Sequence, residues 1–153
     1  FRQMDKATTA KLILTSNLKP EKIADFYEKH AKDRRDLDAR YHALLRIMYN
    51  ALHRGWGFTS AVLDASGNPC AVNFFIHSHG KLLSLAPVAS KAGEEVGALS
   101  FMFDLTVRIN AERPLMLDFN GYEHAADFGA QPATYYQISR LKKKGFLNQY
   151  MKQ

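Results

Sequence analysis

The sequence has very few residues of the kind that build covalent or metal-linked frameworks. Cys70 is the single cysteine among 153 residues, which excludes an intramolecular disulfide and a cysteine-based metal cluster. A lone cysteine fits a reducing compartment, and we expect a cytoplasmic protein. Most residues from Ala71 to Phe75 are apolar, so Cys70 is interpreted as a small buried residue on a strand.

Long apolar runs are also missing. No run approaches the roughly 18 residues that a membrane-spanning helix needs, so no membrane span is expected. The apolar fraction of 46% and the charged fraction of 24% are typical of an ordinary globular domain. A core can be buried at this length, and we predict a single domain over residues 1–139. The chain begins with Phe1 rather than Met, so we expect a fragment or a processed product.

Acidic residues are absent from the last part of the chain. Residues 140–153 contain five basic residues and no acid: Arg140, Lys142, Lys143, Lys144 and Lys152. Removing these five from the 21 basic residues leaves 16 against 15 acidic ones, so the remainder is nearly neutral. A dedicated nucleic-acid-binding domain would carry its basic residues on the fold itself. That class therefore ranks last, and residues 140–153 are predicted to form a basic helical tail.

Hydrophobic periodicity predicts an α+β domain with a mixed sheet in the order β-α-α-β-β-β-α-β-α-β. The first strand is predicted within 7–15 and the first helix from Pro20, a residue tolerated in a first helical turn. The second helix should end at Arg54-Gly55. The remaining elements are three antiparallel strands within 57–63, 70–76 and 81–88, a long helix over about 98–109, a strand at 115–117, a short helix and a strand over 133–138.

The segment 114–136 carries the clearest motif. It reads PLMLDFNGYEHAADFGAQPATYY, an apolar strand that leaves through Asp118-Phe119-Asn120-Gly121 and is followed by an F-G-A turn. This order resembles the second half of the GNAT acyltransferase fold. The pattern L-D-F-x-G followed by F-G-A closely resembles the Fem-type branch, whose members transfer aminoacyl groups and are built of two GNAT-like halves. The chain resembles one half, most closely the second, which would place another GNAT-like domain upstream.

The resemblance implies where an acyl donor would bind. GNAT folds hold the donor between two splayed parallel strands, with its phosphates on the amides at the start of the long helix, where the helix dipole favours anions. Here that region supplies the candidate binding residues Lys91, Gly93, Val96, Gly97 and Ala98. The acetyltransferase signature Q/R-x-x-G-x-G/A is absent, because Glu94 stands where Gln or Arg belongs. Glu94 and Glu95 would repel a pyrophosphate, although glycines still permit close approach.

Candidate catalytic residues follow the same strand. Asp118, Tyr122 and His124 lie near its carboxyl end, where open α/β sheets place ligands. A tyrosine could protonate the leaving group, with Tyr135 and Tyr136 as alternatives to Tyr122, and His124 could act as a general base. Alternatively, Asp118 caps the following helix and Gly121 supplies an unusual dihedral angle. Fem-type members commonly have an acid at position 120 and a small hydroxyl residue at 122, and this sequence differs at both.

Two hypotheses of function follow. In the first, the domain is an N-acyltransferase or aminoacyltransferase that takes an acyl group from acetyl-CoA, another acyl-CoA or an aminoacyl-tRNA and transfers it to a small-molecule or peptide amine. In the second, it is a non-catalytic half that binds the acceptor or packs against another GNAT-like domain. No metal is predicted, because His77 and His79 lack a third ligand at a recognisable spacing.

Overall fold

A computed structural model describes residues 11–134, 136 and 138. These residues form one sheet of six strands: β1 (Ile13–Thr15), β2 (Gly57–Leu63), β3 (Pro69–Ser78), β4 (Lys81–Ser84), β5 (Val88–Ala89) and β6 (Met116–Asp118). The order across the sheet is β1-β2-β3-β4-β6, and β5 pairs with β3. All neighbouring strands are antiparallel except β4 and β6, which are parallel. The predicted α+β fold with a mixed sheet is confirmed.

Helices cover both faces of the sheet. They are α1 (Pro20–His30), α2 (Leu37–His53), α3 (Lys91–Glu95) and α4 (Ala98–Asn110), followed by a short 3-10 helix (Ala125–Phe128). Pro20 opens α1 as predicted, since its ring presets a helical φ and the missing N–H would have had no helical partner. The predicted stop after α2 is also confirmed, because Gly55 has a φ of +70°.

The sheet separates two hydrophobic clusters. Val72 and Phe74 face α1 and α2, where they pack with Ile23 and Met48. The opposite face of β3 packs against α4, in a cluster of buried residues that comprises Val62, Cys70, Ala71, Phe75, Leu82, Ala98, Met102, Phe103 and Phe119. Cys70 is only 4% exposed, and burial raises the pKa of its thiol. The interpretation of Cys70 as a buried strand residue is confirmed.

The predicted strand over 81–88 is interrupted in its middle. β4 ends at Ser84 and β5 begins at Val88. Leu85 N–H still donates to the Phe74 carbonyl oxygen of β3 (2.9 Å), and the chain leaves the ladder at Ala86-Pro87. The fully buried Asn73 replaces the missing strand contacts. Its amide nitrogen donates to Ser84 Oγ (2.9 Å), and its Oδ1 accepts from the backbone N–H groups of Phe74 (2.8 Å) and Ala86 (3.1 Å). A side chain therefore holds the main chain where strand pairing stops.

The ends of the chain differ from the prediction or fall outside the description. Of the strand expected over 133–138, the described residues Ala133, Thr134, Tyr136 and Ile138 belong to no strand. Tyr136 and Ile138 are almost fully exposed. An edge strand needs a buried face to be held in register, which explains the absence of pairing at these positions. The candidate Tyr135, the basic tail 140–153 and the start of the first predicted strand lie outside the described residues.

Candidate functional site

A cleft of about 620 Å³ opens beside the interrupted strand. β4 and β6 are paired at Lys81–Met116, Leu82–Leu117 and Leu83–Asp118, and the pairing ends there because β6 stops at Asp118. The cleft is lined by the connection between α1 and α2, the segment 85–89, the first turn of α4 and the loop 120–124. It therefore lies at the carboxyl end of the parallel strand pair, where sheets of this kind place ligands.

A tight turn after β6 shapes one wall of the cleft. Asn120 and Gly121 have φ angles of +51° and +78°, and Tyr122 N–H donates to the Phe119 carbonyl oxygen (3.1 Å). An Asn-Gly pair is the sequence that such a turn favours. The unusual dihedral angle predicted for Gly121 is confirmed. Because the turn reverses the chain directly after the strand, it brings Tyr122 into the cleft.

Asp118 stabilises this turn rather than a helix. Its Oδ1 accepts a hydrogen bond from Asn120 N–H (2.9 Å), and the short helix begins only at Ala125 with His124 before it. The alternative in which Asp118 caps that helix is therefore wrong. Asp118 is exposed and does not line the cleft, so among the three candidate catalytic residues it is separated from Tyr122 and His124.

Tyr122 occupies the inner part of the cleft. Its hydroxyl lies 3.1 Å from Ser100 Oγ, and its ring packs against Phe103 at 4.8 Å between centroids. Burial is the main cause of a raised Tyr122 pKa, because it penalises the charged phenolate. A tyrosine phenol is protonated near neutral pH in any case, so the Tyr122 O–H is available inside the cleft as a donor.

His124 lies next to Tyr122 at the mouth of the cleft. The two rings meet edge to face at 5.6 Å. The imidazole is flanked by two carboxylates, with Glu123 Oε1 at 3.7 Å from Nε2 and Asp127 Oδ2 at 3.8 Å from Nδ1. The structure therefore brings two of the three candidate catalytic residues together.

The predicted donor-binding residues divide into two groups. The long helix expected over about 98–109 is present as α4, and the short helix α3 precedes it, with Gly97 between them at a φ of +68°. Gly93, Gly97 and Ala98 line the cleft, whereas Lys91 and Val96 do not. Gly97 and Ala98 form the start of α4, so this helix start faces the cleft. The first N–H groups of a helix lack partners within it and can bind an anion. Among the predicted residues, Gly97 and Ala98 are those placed to meet an anion there.

Gly93 has a packing role that the sequence did not predict. A Cβ at this position would overlap the Cys70 carbonyl oxygen of β3. Ser90 reinforces the same contact, because its hydroxyl accepts from Gly93 N–H (3.1 Å) and donates to the Cys70 carbonyl oxygen (3.3 Å). The glycine thus allows α3 to approach the sheet, and Ser90 caps the start of α3.

Sequence reasoning missed Lys32 and Ser100. Lys32 lies between α1 and α2, and its Nζ contacts Glu94 Oε1 at 3.0 Å and Glu123 Oε1 at 3.9 Å. These carboxylates raise the Lys32 pKa, with the Glu94 hydrogen bond as the largest cause. Ser100 is buried on α4 beside Tyr122. No local pattern marks either residue, because their partners are distant in sequence and are brought close only by the fold.

The connection that carries Lys32 is held in shape by Asp33. Its carboxylate accepts hydrogen bonds from Arg35 (2.9 and 3.0 Å) and from Arg40 (2.7 Å). The two guanidinium groups, Arg35 first, hold the Asp33 pKa well below its usual range. The ion pairs of Asp33 therefore fix the shape of this connection, which forms a charged wall of the cleft.

Comparison with solved structures identifies the architecture. A GCN5-related N-acetyltransferase from Ralstonia eutropha matches 85% of this chain and 97% of its own at a TM-score of 0.65 and 15% identity. A predicted acetyltransferase from Clostridium acetobutylicum, solved with acetyl-CoA, matches 85% and 95% at 0.59 and 13%. An acetyltransferase of the GNAT family from Staphylococcus aureus matches 77% and 79% at 0.56 and 14%.

The chain has the GNAT fold. At these identities the similarity shows the fold alone. No family model matches the sequence, and a search of curated proteins finds no match.

Among the residues that the structure describes, no three His, Cys, Asp or Glu side chains come close enough to hold a metal ion. His77 ends up on β3 and His79 in the turn that follows it, where His79 Nδ1 lies 2.6 Å from Ser78 Oγ. No helix in the described part of the chain has both the length and the hydropathy that a bilayer crossing requires.

Proposed function

We propose that this protein is an N-acyltransferase domain, which transfers an acyl group from a thioester or an aminoacyl ester to an amine. The observation that carries the proposal is the cleft where β4 and β6 part, with the start of α4 on one side and the Tyr122 hydroxyl inside. A helix start favours the negative charge of a donor. A half-buried, protonated phenol supplies the proton that a leaving group needs.

The reaction would proceed by direct attack, without a covalent enzyme intermediate. The acceptor amine, once neutral, attacks the carbonyl carbon of the donor, an amide bond forms, and the bond to the thiolate or alkoxide leaving group breaks. Tyr122 O–H donates its proton to that leaving group, and Ser100 Oγ at 3.1 Å orients the phenol. His124, flanked by Glu123 and Asp127, accepts the proton released by the amine. General acid–base catalysis of this kind contributes roughly 10²–10⁴-fold.

The chemistry of the cleft bears on which donor is used. Glu94 stands where coenzyme A enzymes of the GNAT kind have Gln or Arg, and Lys32 offsets only part of its charge. Gly97 and Ala98 still offer a helix start to an anion. The start of α4 therefore favours the phosphates of an acyl-CoA, whereas the Glu94 carboxylate repels them. The Fem-like motif around Asp118 supports the aminoacyl ester of a tRNA as the other donor, with a second GNAT-like domain upstream.

A second candidate function is a non-catalytic, acceptor-binding half. Two contacts favour it. Glu94 places a carboxylate beside the expected donor phosphates, and the Asn120 amide donates to the Leu85 carbonyl oxygen (3.4 Å) across the parting strands. This bond occupies a backbone acceptor that a donor bound in the gap could otherwise use.

Ligand binding and turnover separate the two candidates. We expect acetyl-CoA or a short aminoacylated RNA mimic to raise the melting temperature of the purified chain, since a ligand of the native state stabilises it by mass action. Thiol release from acetyl-CoA, or loss of the RNA ester, is then measured with a panel of amines. The Tyr122→Phe variant should bind the donor normally and lose about 10²-fold in kcat. Lys22→Met, an exposed change on α1, serves as the control.

Donor binding without turnover for any amine would favour the non-catalytic half. Absence of both binding and turnover with both donors would contradict the acyltransferase proposal for this chain. Unchanged kcat in Tyr122→Phe would remove Tyr122 from the reaction while leaving the transferase intact.

A further inference from the structure

The cleft already contains an ammonium group that belongs to the protein. Among the described residues that line the cleft, Lys32 is the only lysine or arginine. Its Nζ lies 3.0 Å from Glu94 Oε1 and 3.9 Å from Glu123 Oε1. These three residues come from the connection after α1, from α3 and from the loop after β6. The ammonium therefore bridges the two sides of the cleft mouth.

The acidic residues of the lining explain why a cation is held at this point. Asp33 is already engaged by Arg35 and Arg40. Glu94 has its ion pair with Lys32, whereas Glu123 has Lys32 and, when the imidazole is protonated, His124. Removal of the Lys32 ammonium would leave two neighbouring carboxylates facing the cleft with little compensation. A cation of similar size and geometry would then be attracted to the same position.

The Lys32 ammonium lies in the same cleft as Tyr122. Glu123, which contacts the Lys32 ammonium, adjoins Tyr122 in sequence, and all three residues line the same cleft. The Lys32 ammonium thus shares the cleft with the phenol that the proposed reaction uses. A protonated acceptor amine entering the cleft would have to reach the same region before it loses its proton.

We propose that Lys32 occupies the subsite of the acceptor's ammonium group and competes with the acceptor for Glu94 and Glu123. Lys32 would thereby determine how strongly the cleft selects cationic amines. The inference rests on the proposed function, because it takes the cleft as the place of acyl transfer. It adds the class of acceptor, a primary alkyl ammonium compound with a lysine-like end.

The Lys32 side chain is suited to such exchange. Its side chain is 75% exposed, and the partner carboxylates of Glu94 and Glu123 are 48% and 69% exposed. Ion pairs at this exposure are weak and are easily replaced by another partner. The flexible four-carbon stem lets the ammonium swing into water while the backbone connection, held by Asp33, keeps its shape.

Binding of a small diamine tests the inference without any acyl donor. Calorimetric titration with 1,5-diaminopentane is compared with titration with pentane-1,5-diol, its neutral analogue. We expect Lys32→Met to bind the diamine about three- to fivefold more tightly than the wild type, the range that weak ion pairs allow. Lys32→Arg should restore wild-type affinity, and Glu94→Gln combined with Glu123→Gln should abolish binding. Lys22→Met, an exposed lysine of α1 with no ion-pair partner among the described residues, should behave as wild type.

Each outcome decides the question. Equal binding of diamine and diol, equal affinity in Lys32→Met and the wild type, or no diamine binding in any variant would overturn the inference. Retained binding in the double glutamine variant would do so as well. Failure of the proposed function has a different signature, because it appears as absent donor binding and absent turnover while diamine binding is unaffected.

Discussion

Replacement of Asn73 by leucine should destabilise the protein more than any surface change of the same size. Asn73 is fully buried and makes three hydrogen bonds, two of which satisfy the backbone N–H groups of Phe74 and Ala86. Leucine has nearly the same shape and makes none of them. Each buried donor left unsatisfied costs about 1–3 kcal/mol. Two such donors predict a loss of roughly 2–6 kcal/mol in the free energy of unfolding.

Urea unfolding followed by circular dichroism measures this loss. Asn50→Leu is the matched control, since Asn50 is exposed on α2 and its amide contacts only the Arg46 carbonyl oxygen. We expect that variant to stay within about 0.5 kcal/mol of the wild type. Ser84→Ala combined with Asn73→Leu should cost less than the two changes added together, because Ser84 and Asn73 share a hydrogen bond. A loss below about 1 kcal/mol for Asn73→Leu would refute the role given to Asn73.

Three further predictions concern the packing and titration of the fold. Gly93→Ala should lower the free energy of unfolding in urea by about 1–3 kcal/mol, because the new methyl group overlaps the Cys70 carbonyl oxygen and forces α3 away from β3. A variant as stable as the wild type would show that α3 can shift without cost. The buried Cys70 thiol should react with DTNB only after unfolding in urea, and rapid reaction of the native protein would contradict its burial. Since the native state raises the Tyr122 pKa, the folded protein binds that proton more tightly, and stability should fall as pH rises above about 10. Tyr122→Phe should lessen that fall, and identical pH profiles for the two proteins would argue against the shift.

The topology was accessible from the sequence because its signals are local. The apolar run at 115–117 followed by Asp118 and an Asn-Gly pair specifies a strand and a tight turn, and both are present. Interruption of the strand over 81–88 was missed, although Pro87 lacks the N–H that strand pairing requires. Asn73, which compensates for the interruption, is distant in the chain, and only the folded sheet brings the two together.

The candidate site was predicted less completely than the fold. Tyr122, His124, Gly97 and Ala98 could be placed because they flank elements with a recognisable pattern. Glu94 was expected to repel an anion. The sequence did not predict that Lys32, from another part of the chain, forms an ion pair with Glu94. Ion pairs between distant segments produce no periodic pattern in the sequence, so they can be identified only from the folded structure.

The bond from the Asn120 amide to the Leu85 carbonyl oxygen has a consequence for how fast a ligand could enter. This bond spans the two strands at the point where they separate, and the turn that carries Asn120 is itself fixed by Asp118. A ligand that pairs with the Leu85 carbonyl oxygen would therefore have to displace this bond, which is exposed and 3.4 Å long. Exchange of one such bond costs little, so entry should be limited mainly by diffusion and by the side chains at the mouth.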